Sequence, residues 1–398
     1  MAHVLVVEPF YGGSHKAFLD GLIRHSRHEF TLLTLPGGEW RRRMQRGAQE
    51  LAAPARGLSA DVDLVMVTDM LDLPAFLALT RPRFANVPIL CYFHENQFTY
   101  PRLRGTKFNS WFGQINYLSA CAADYVAFNS AFHRSDFLGA LRTLSGMPNA
   151  WLTDELIDSI EAKSTVLPVG VDLRWLDEYR VERTPGKPPL ILWNHRWEFD
   201  KSPATFARAV QALASDGVEF RLALAGEPGP NPAPELVSLA EALSDRVTHR
   251  GFVTSREAYA RLLWESDIVV STTRHEFFGV GMVEALYCGC IPVAPRRYNY
   301  PAIVPGPWHS TCLFDDEAGL ARRLRALLGE TITADRLGRE SAARFDWQVV
   351  GPEWDAAIAA LASGLPAWGP HAPTADMCVN GIGSSTESAC GRVMSFEG

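Results

Sequence analysis

Cysteine is sparse in this chain and poorly spaced for metal or disulfide chemistry. Seven cysteines stand at positions 91, 121, 288, 290, 312, 378 and 390, an odd number with no C-x-x-C pair. That spacing speaks against a zinc site or a disulfide framework and for a reducing compartment. A long apolar run is missing too, and no basic leader precedes the first apolar residues, Val4-Leu5-Val6-Val7. Neither a membrane span nor a secretory signal is therefore expected, and the expected location is cytoplasmic. Nor is positive charge in excess: 38 Lys and Arg against 45 Asp and Glu leave a formal net charge of -7. The whole molecule is thus no general nucleic-acid binder, although a local basic patch stays open. There is also no obvious D-x-D metal site between short strands.

What is present describes an ordinary soluble globular protein: 398 residues, 47% hydrophobic and 21% charged, long enough for two cores. His3 to Val7 reads as a buried parallel strand, and Pro9-Phe10-Tyr11-Gly12-Gly13-Ser14-His15-Lys16 leads into a helix from Ala17. Strand, glycine pair and helix make an anion-facing loop, which places Gly12 and Gly13 among the candidate binding residues. A lone Gly-Gly is equally a tight turn, because it lacks G-x-G-x-x-G and the Walker lysine. Further strands are predicted at 31–35, 63–68, 88–93, 124–128 and 166–172. The fourth ends in His94-Glu95-Asn96-Gln97. Polar residues at the C-terminal end of a buried parallel strand sit where open α/β sheets bind ligands, so His94 is a candidate site residue. Arg41, Arg42, Arg43 and Arg46 around Trp40 form either a phosphate-gripping patch or a solvated helix face.

Glu182 to Pro189 is proline-rich and aperiodic, the signature of a linker. After it the alternation of strand and helix begins again, which predicts two doubly wound α/β domains with the ligand in the cleft between them. We place the first Rossmann-like domain at 1–178, the linker at 179–189, the second domain at 190–344 and a last helix at 345–364. The tail, 365–398, is rich in Gly, Ser, Pro and Thr and is expected to be disordered.

Two stretches of the second half carry chemistry. Arg196 and Lys201 stand five apart in the polar loop after the strand at 190–193. Arg can bond two phosphate oxygens at once and Lys adds a point charge, which suits a diphosphate leaving group. A salt-bridged loop with Glu198 and Asp200 is the alternative. The second stretch is R-H-E-F-F-G-V-G-M-V-E-A-L-Y-C-G-C-I-P, from Arg274 to Pro292. A short buried strand precedes it. Met282, Val283, Leu286 and Tyr287 have helical spacing, and Gly289 is placed to stop the helix in a left-handed conformation. The loop and the helix N-terminus behind it offer a seat for a diphosphate. Glu276 lies at the mouth. Glu284 lies two turns on, from where it reaches a ribose only if the loop folds back.

The E-F-F-G core, its spacing to Glu284 and the R-x4-K pair resemble the retaining glycosyltransferases of the GT-B fold, family 4 in particular. That resemblance implies that Glu276 contacts the transferred sugar, Glu284 the ribose, and Arg196 and Lys201 the pyrophosphate. Phe278 and Gly279 then belong to the nucleotide-sugar site, His94 binds sugar or steadies developing charge, and no metal is required. It also implies a terminal helix crossing back to the first, acceptor-binding domain. E-P-F-Y-G-G-S-H-K, Y-F-H-E-N-Q-F-T-Y-P, F-N-S and W-N-H-R-W-E-F-D-K narrow the resemblance to the tRNA-queuosine alpha-mannosyltransferase branch. What that implies is transfer of mannose from GDP-mannose to queuosine in the anticodon loop of tRNA-Asp. Arg41, Arg42, Arg43 and Arg46, with Arg102, Arg104 and Lys107, would then touch tRNA phosphates. Two other readings stay open: a lipid or cell-wall acceptor, served by Phe108, Trp111 and Phe112, and a non-catalytic tRNA- or nucleotide-binding module.

Overall fold

The computed structural model describes residues 1–101, 110–148, 150–229, 233–329 and 336–364. Arg102, Arg104, Lys107, Phe108 and the tail from 365 lie outside the described residues.

The first half alternates strand and helix in chain order. It runs β1 (His3–Tyr11), α1 (Gly13–His25), β2 (Glu29–Pro36), α2 (Trp40–Arg56), β3 (Leu64–Thr68), α3 (Leu73–Thr80) and β4 (Ile89–Phe93). It continues with α4 (Ser110–Ala122), β5 (Tyr125–Phe128), α5 (Ala131–Ser145), α6 (Asp154–Ala162) and β6 (Ser164–Val166). The strands pair in parallel in the order β2-β1-β3-β4-β5-β6. All five residues of β3 and of β4 are buried, as covered parallel strands require. Two readings of the sequence need correcting. The helix after the first strand begins at Gly13, four residues before Ala17. The strand expected at 166–172 ends at Val166, because the chain leaves the sheet through Pro168 and makes only a single bridge, Val171 to Asp346.

The second half repeats the plan after Arg180–Pro189, which carries no regular element. It holds β7 (Leu190–Asn194), α7 (Pro203–Ser215), β8 (Arg221–Ala225), α8 (Pro234–Ala242), β9 (Val247–Gly251), α9 (Arg256–Glu265), β10 (Ile268–Val270) and α10 (Val280–Tyr287). Then follow β11 (Ile291–Pro295), α11 (Tyr300–Ile303), α12 (His309–Cys312), β12 (Leu313–Phe314), α13 (Glu317–Leu328), α14 (Arg336–Ala343) and α15 (Trp347–Ala362). Its strand order is β12-β11-β10-β7-β8-β9.

Each order reverses direction at one place, between β1 and β3 in the first sheet and between β7 and β10 in the second. Such switch points open a crevice at the C-terminal ends of the strands, where α/β sheets take their ligands. The two halves are tied by α15, which returns to the first sheet and packs on α1. Trp347 and Trp354 lie 5.9 and 5.3 Å from the Phe18 ring, and the Asp355 carboxylate accepts from Ser26 Oγ at 2.5 Å. The expected return crossing is therefore present. Among the described residues no helix is long and apolar enough to cross a membrane.

Candidate active site

Residues following strands of both sheets line one cleft of about 840 Å³. On the first wall, β1 delivers Glu8 and α1 delivers His15. The Glu8 carboxylate is fully buried and accepts from His15 Nδ1 at 3.0 Å. Burial works against a charged His15, but the adjoining Glu8, helped by Asp69 and Glu95, outweighs it and raises the imidazole to about 9. The His94 ring lies 4.1 Å from the His15 ring. Burial and the His15 charge together push His94 well below its ordinary value, so it is neutral, and its Nε2 is buried without a partner. The backbone of His94 is held from both sides: its N–H donates to Asp69 Oδ1 at 2.8 Å and its C=O accepts from Asn129 Nδ2 at 2.8 Å. Glu8, His15 and His94 offer ligand atoms within 4.8 Å of one another, a spacing a metal ion can use. Here the carboxylate and one imidazole already satisfy each other as an ion pair.

The predicted glycines sit just outside this wall. A Cβ on Gly12 would come within 2.9 Å of the Gly37 Cα, so Gly12 lets the loops after β1 and β2 touch. Gly13, at φ +53, opens α1. The cleft lining starts with the next two residues, Ser14 and His15. Glu95 also lines the cleft, with Oε1 accepting from Gln97 at 2.8 Å, and burial raises its carboxyl. The sequence reading left Glu8, His15 and Glu95 without roles. The available signal was their place at or just beyond the C-terminal ends of β1 and β4, the same signal that singled out His94.

The second wall is built from the loops after β7 and β10, which are bonded to each other. Thr272 Oγ1 donates to the Lys201 carbonyl at 2.8 Å, and Arg274 N to the Asp200 carbonyl at 2.7 Å. This locks the Lys201 loop to the Glu276 loop. Lys201 Nζ lies 3.1 Å from Asp200 and 3.7 Å from Glu276. Burial opposes its charge, but Glu276 and Asp200 prevail and raise the ammonium above its usual range. Arg196 is exposed and pairs with Glu198 at 3.1 Å. Both cations line the cleft, so the salt-bridged loop and the cation pair are one arrangement.

Gly279, at φ +106, turns the chain into α10. Only glycine adopts this conformation readily, which is why the loop and the helix can join so tightly. Gly279, Val280 and Gly281 line the cleft, and the amides of Val280 and Gly281 have no backbone acceptor among the described residues. Phe278 is buried, its carbonyl held by Asn299 Nδ2 at 2.8 Å. Glu284 lines the same cleft from the second turn of α10, so no folding back of the loop is needed. Its carboxylate accepts from the Tyr259 hydroxyl at 2.7 Å; burial raises it to about 7 against the pull of that bond. Tyr259 is a site residue that the sequence reading missed; it lies on α9, far from any motif.

This geometry can hold an anion at the α10 N-terminus between two cations, with carboxylates on either side. Comparison with known proteins agrees. Residues 3–171 match the family described as tRNA-queuosine alpha-mannosyltransferase N-terminal, and residues 188–330 match glycosyl transferases group 1. The tRNA-queuosine alpha-mannosyltransferase of Drosophila melanogaster is 33% identical over 312 residues, 76% of this chain and 82% of that one. The chain belongs to this family. A more distant likeness, 31% over 216 residues, joins this tRNA-queuosine alpha-mannosyltransferase family member to a GDP-mannose-dependent alpha-(1-6)-phosphatidylinositol dimannoside mannosyltransferase of Mycobacterium tuberculosis. That match spans 52% of this chain and 55% of the other. The fold is shared with sucrose-phosphate synthase from Thermosynechococcus elongatus, at TM-score 0.70 and 15% identity, covering 91% of this chain and 99% of that one. An Escherichia coli trehalose-6-phosphate structure bound with UDP-2-fluoro glucose follows at TM-score 0.65 and 13% identity, covering 90% and 98%. The family member is thus a glycosyltransferase with the expected GT-B architecture.

Proposed function

We propose that this protein transfers mannose from GDP-mannose to queuosine in the anticodon loop of tRNA-Asp, with retention of configuration, in the cytoplasm. The observation that carries the reading is the convergence of Arg196, Lys201, Glu276 and Glu284 on one cleft, opposite His94. Arg196, Lys201 and the α10 amides take the diphosphate, whose charge grows as the bond from sugar carbon to phosphate oxygen breaks. Glu284 accepts from the ribose hydroxyls, and Glu276 orients the sugar hydroxyls beside the Lys201 ammonium. The neutral His94 ring bonds the sugar without adding charge. The acceptor hydroxyl attacks from the face that the phosphate leaves, and its proton passes to the leaving phosphate oxygen. Because the two cations and the helix end neutralise the diphosphate, we expect no metal.

The acceptor half of the reading is supported by the family and by α2, which turns Arg41, Arg42 and Arg46 to solvent. Its lipid rival loses support at Phe112, which is 5% exposed and packs under Trp40 at 5.0 Å, leaving only Trp111 of that pair exposed. A non-catalytic module has no use for a Lys201–Glu276 pair at the site of the transferred sugar. The test is incubation with radiolabelled GDP-mannose and two tRNA pools, one with queuosine and one without. Label in the queuosine pool alone, abolished by Glu276→Ala, is expected. Label in neither pool overturns the acceptor, and label in both overturns the queuosine specificity.

A further inference from the structure

The F-N-S segment at the end of β5 has no part in the transfer as described, yet it touches both of its key loops. Asn129, Ser130 and His133 are 4%, 5% and 0% exposed. Asn129 Nδ2 donates to the His94 carbonyl at 2.8 Å, and its Oδ1 accepts from His133 Nδ1 at 2.9 Å. Those two bonds fix each other: the amide nitrogen is committed to a carbonyl, so the His133 proton must sit on Nδ1. Ser130 caps α5 by accepting from His133 N at 3.0 Å, and its own hydroxyl donates across the cleft to the Phe277 carbonyl at 2.5 Å. The His133 ring lies 3.9 Å from the Phe277 ring, tilted 31°. Phe277 is the residue after Glu276.

We infer that Asn129, Ser130 and His133 form a cross-cleft positioning unit, which sets Glu276 of the second half against His94 of the first. The hydrogen bonds run from the His94 carbonyl through one helix cap to the carbonyl of Phe277, next in the chain to Glu276. The donor and acceptor that meet across the cleft, Ser130 Oγ and Phe277 O, lie in segments that follow strands of different sheets, β5 and β10. Both are buried, and a buried polar group is costly to leave unpaired, so the bond favours the one mutual setting in which both are satisfied. The Glu276 loop is already held by its own half through Arg274 and Thr273. The contact from Ser130 therefore adds the position of Glu276 relative to the other wall. None of the three touches the reacting atoms, and they act through His94 and Glu276. The inference rests on the roles given above to those two residues.

The experiment must separate the cross-cleft bond from the helix cap. Ser130→Gly does so, since glycine caps nearly as well as serine but has no hydroxyl. Ser130→Thr keeps both functions. With the full chain, GDP-mannose and queuosine tRNA, Ser130→Gly is expected to lower kcat about ten-fold, the worth of one buried hydrogen bond. GDP affinity, read by titration without acceptor, should stay within about two-fold, because the nucleotide residues all lie on the second half. Ser130→Thr should recover most of the rate. His133→Phe, which keeps a ring against Phe277 but frees Asn129, should also lower kcat and spare GDP binding. A Ser130→Gly enzyme with wild-type kcat would overturn the inference, as would a loss of GDP affinity in step with kcat. A wild-type protein that binds GDP but transfers to neither tRNA pool overturns the acceptor reading instead.

Discussion

The Tyr259 hydroxyl donates to the Glu284 carboxylate at 2.7 Å, from a partly buried tyrosine that itself lines the cleft. That donor matters to Glu284, because burial drives its carboxyl toward the neutral form and, even with the bond in place, raises it to about 7. In the proposed reading ribose hydroxyls donate to the carboxylate, so nucleotide binding favours the ionised form and lowers its pKa further. GDP affinity should therefore rise as pH climbs toward 7 and level off above it. Titrations of GDP from pH 5.5 to 8.5 should show that slope, and Glu284→Gln should flatten it. Tyr259→Phe removes the hydrogen bond that opposes burial, so the midpoint of the same profile should move upward. The stability term has the opposite sign to that of a salt-bridged acid. The folded state holds the Glu284 proton more tightly than the unfolded chain does, so this group's contribution falls as pH rises from about 4.3 to about 7.

Lys201 has two acidic neighbours, and the two predict different consequences of its loss. Beside Glu276 it sets, in the proposed reading, the charge at the transferred sugar and diphosphate, so Lys201→Met should lower kcat about 10² to 10³-fold, as for other preorganised groups at developing charge. Beside Asp200, which is 2% exposed, it neutralises a buried carboxylate at 3.1 Å. Removing the ammonium leaves that charge unpaired, which typically costs about 3–5 kcal/mol. A second change, Asp200→Asn, should restore much of the thermal stability of Lys201→Met without restoring turnover. Thermal melts and steady-state rates on the single and double variants separate the two effects.

Why part of this site was legible in the sequence, and part was not, follows from where its order comes from. Arg196, Lys201, Glu276 and Gly279 lie in loops that directly follow strands of near-continuous apolar residues, so the strands located them. Gly289 at φ +81 ends α10 as its spacing indicates. Tyr259 and Ser130 reach the site only through packing: one from the far side of α9, the other through a helix cap facing a different sheet. No local pattern encodes such meetings. The same limit applies to β11 and β12, whose residues Ile291–Pro295 and Leu313–Phe314 are too short and too rich in proline and cysteine neighbours to stand out as strands.

The return of α15 to the first half depends on two glycines that leave room for one indole. A Cβ on Gly21 would lie 2.2 Å from the Trp347 ring, and one on Gly170 would lie 2.3 Å from it. Real side chains do not approach so closely, so Gly170→Ala must displace Trp347, which is 2% exposed. Overpacking of this kind typically costs about 1–3 kcal/mol. Asp355 tests the polar side of the same joint. It accepts from Ser26 Oγ and from the Arg27 amide, so Asp355→Ala leaves two donors short of a partner, at about 1–3 kcal/mol. Both variants should melt several degrees lower than the parent. Limited proteolysis should show α15 released before either sheet is cut.

The arginines of α2 differ in their engagement, and that difference makes the tRNA reading testable residue by residue. Gly47 seats the helix tightly, since a Cβ there would come within 2.7 Å of Pro9. Seated so, α2 buries Met44 and Ala48 and turns Arg42 and Arg46 outward, one helical turn apart. Arg43 is occupied: Nε donates to the Pro36 carbonyl at 2.9 Å and Nη1 lies 3.6 Å from Glu50. If Arg42 and Arg46 meet phosphates, Arg42→Gln with Arg46→Gln should raise KM for tRNA several-fold while kcat at saturation and GDP affinity hold. The slope of log affinity against log salt should fall by about one per arginine removed. Arg43→Gln should act otherwise, lowering stability by loosening the loop after β2 and leaving the salt slope largely intact. An unchanged slope in the double variant would return this face to the role of a solvated helix surface. The tRNA would then have to be gripped elsewhere on the rim of the cleft.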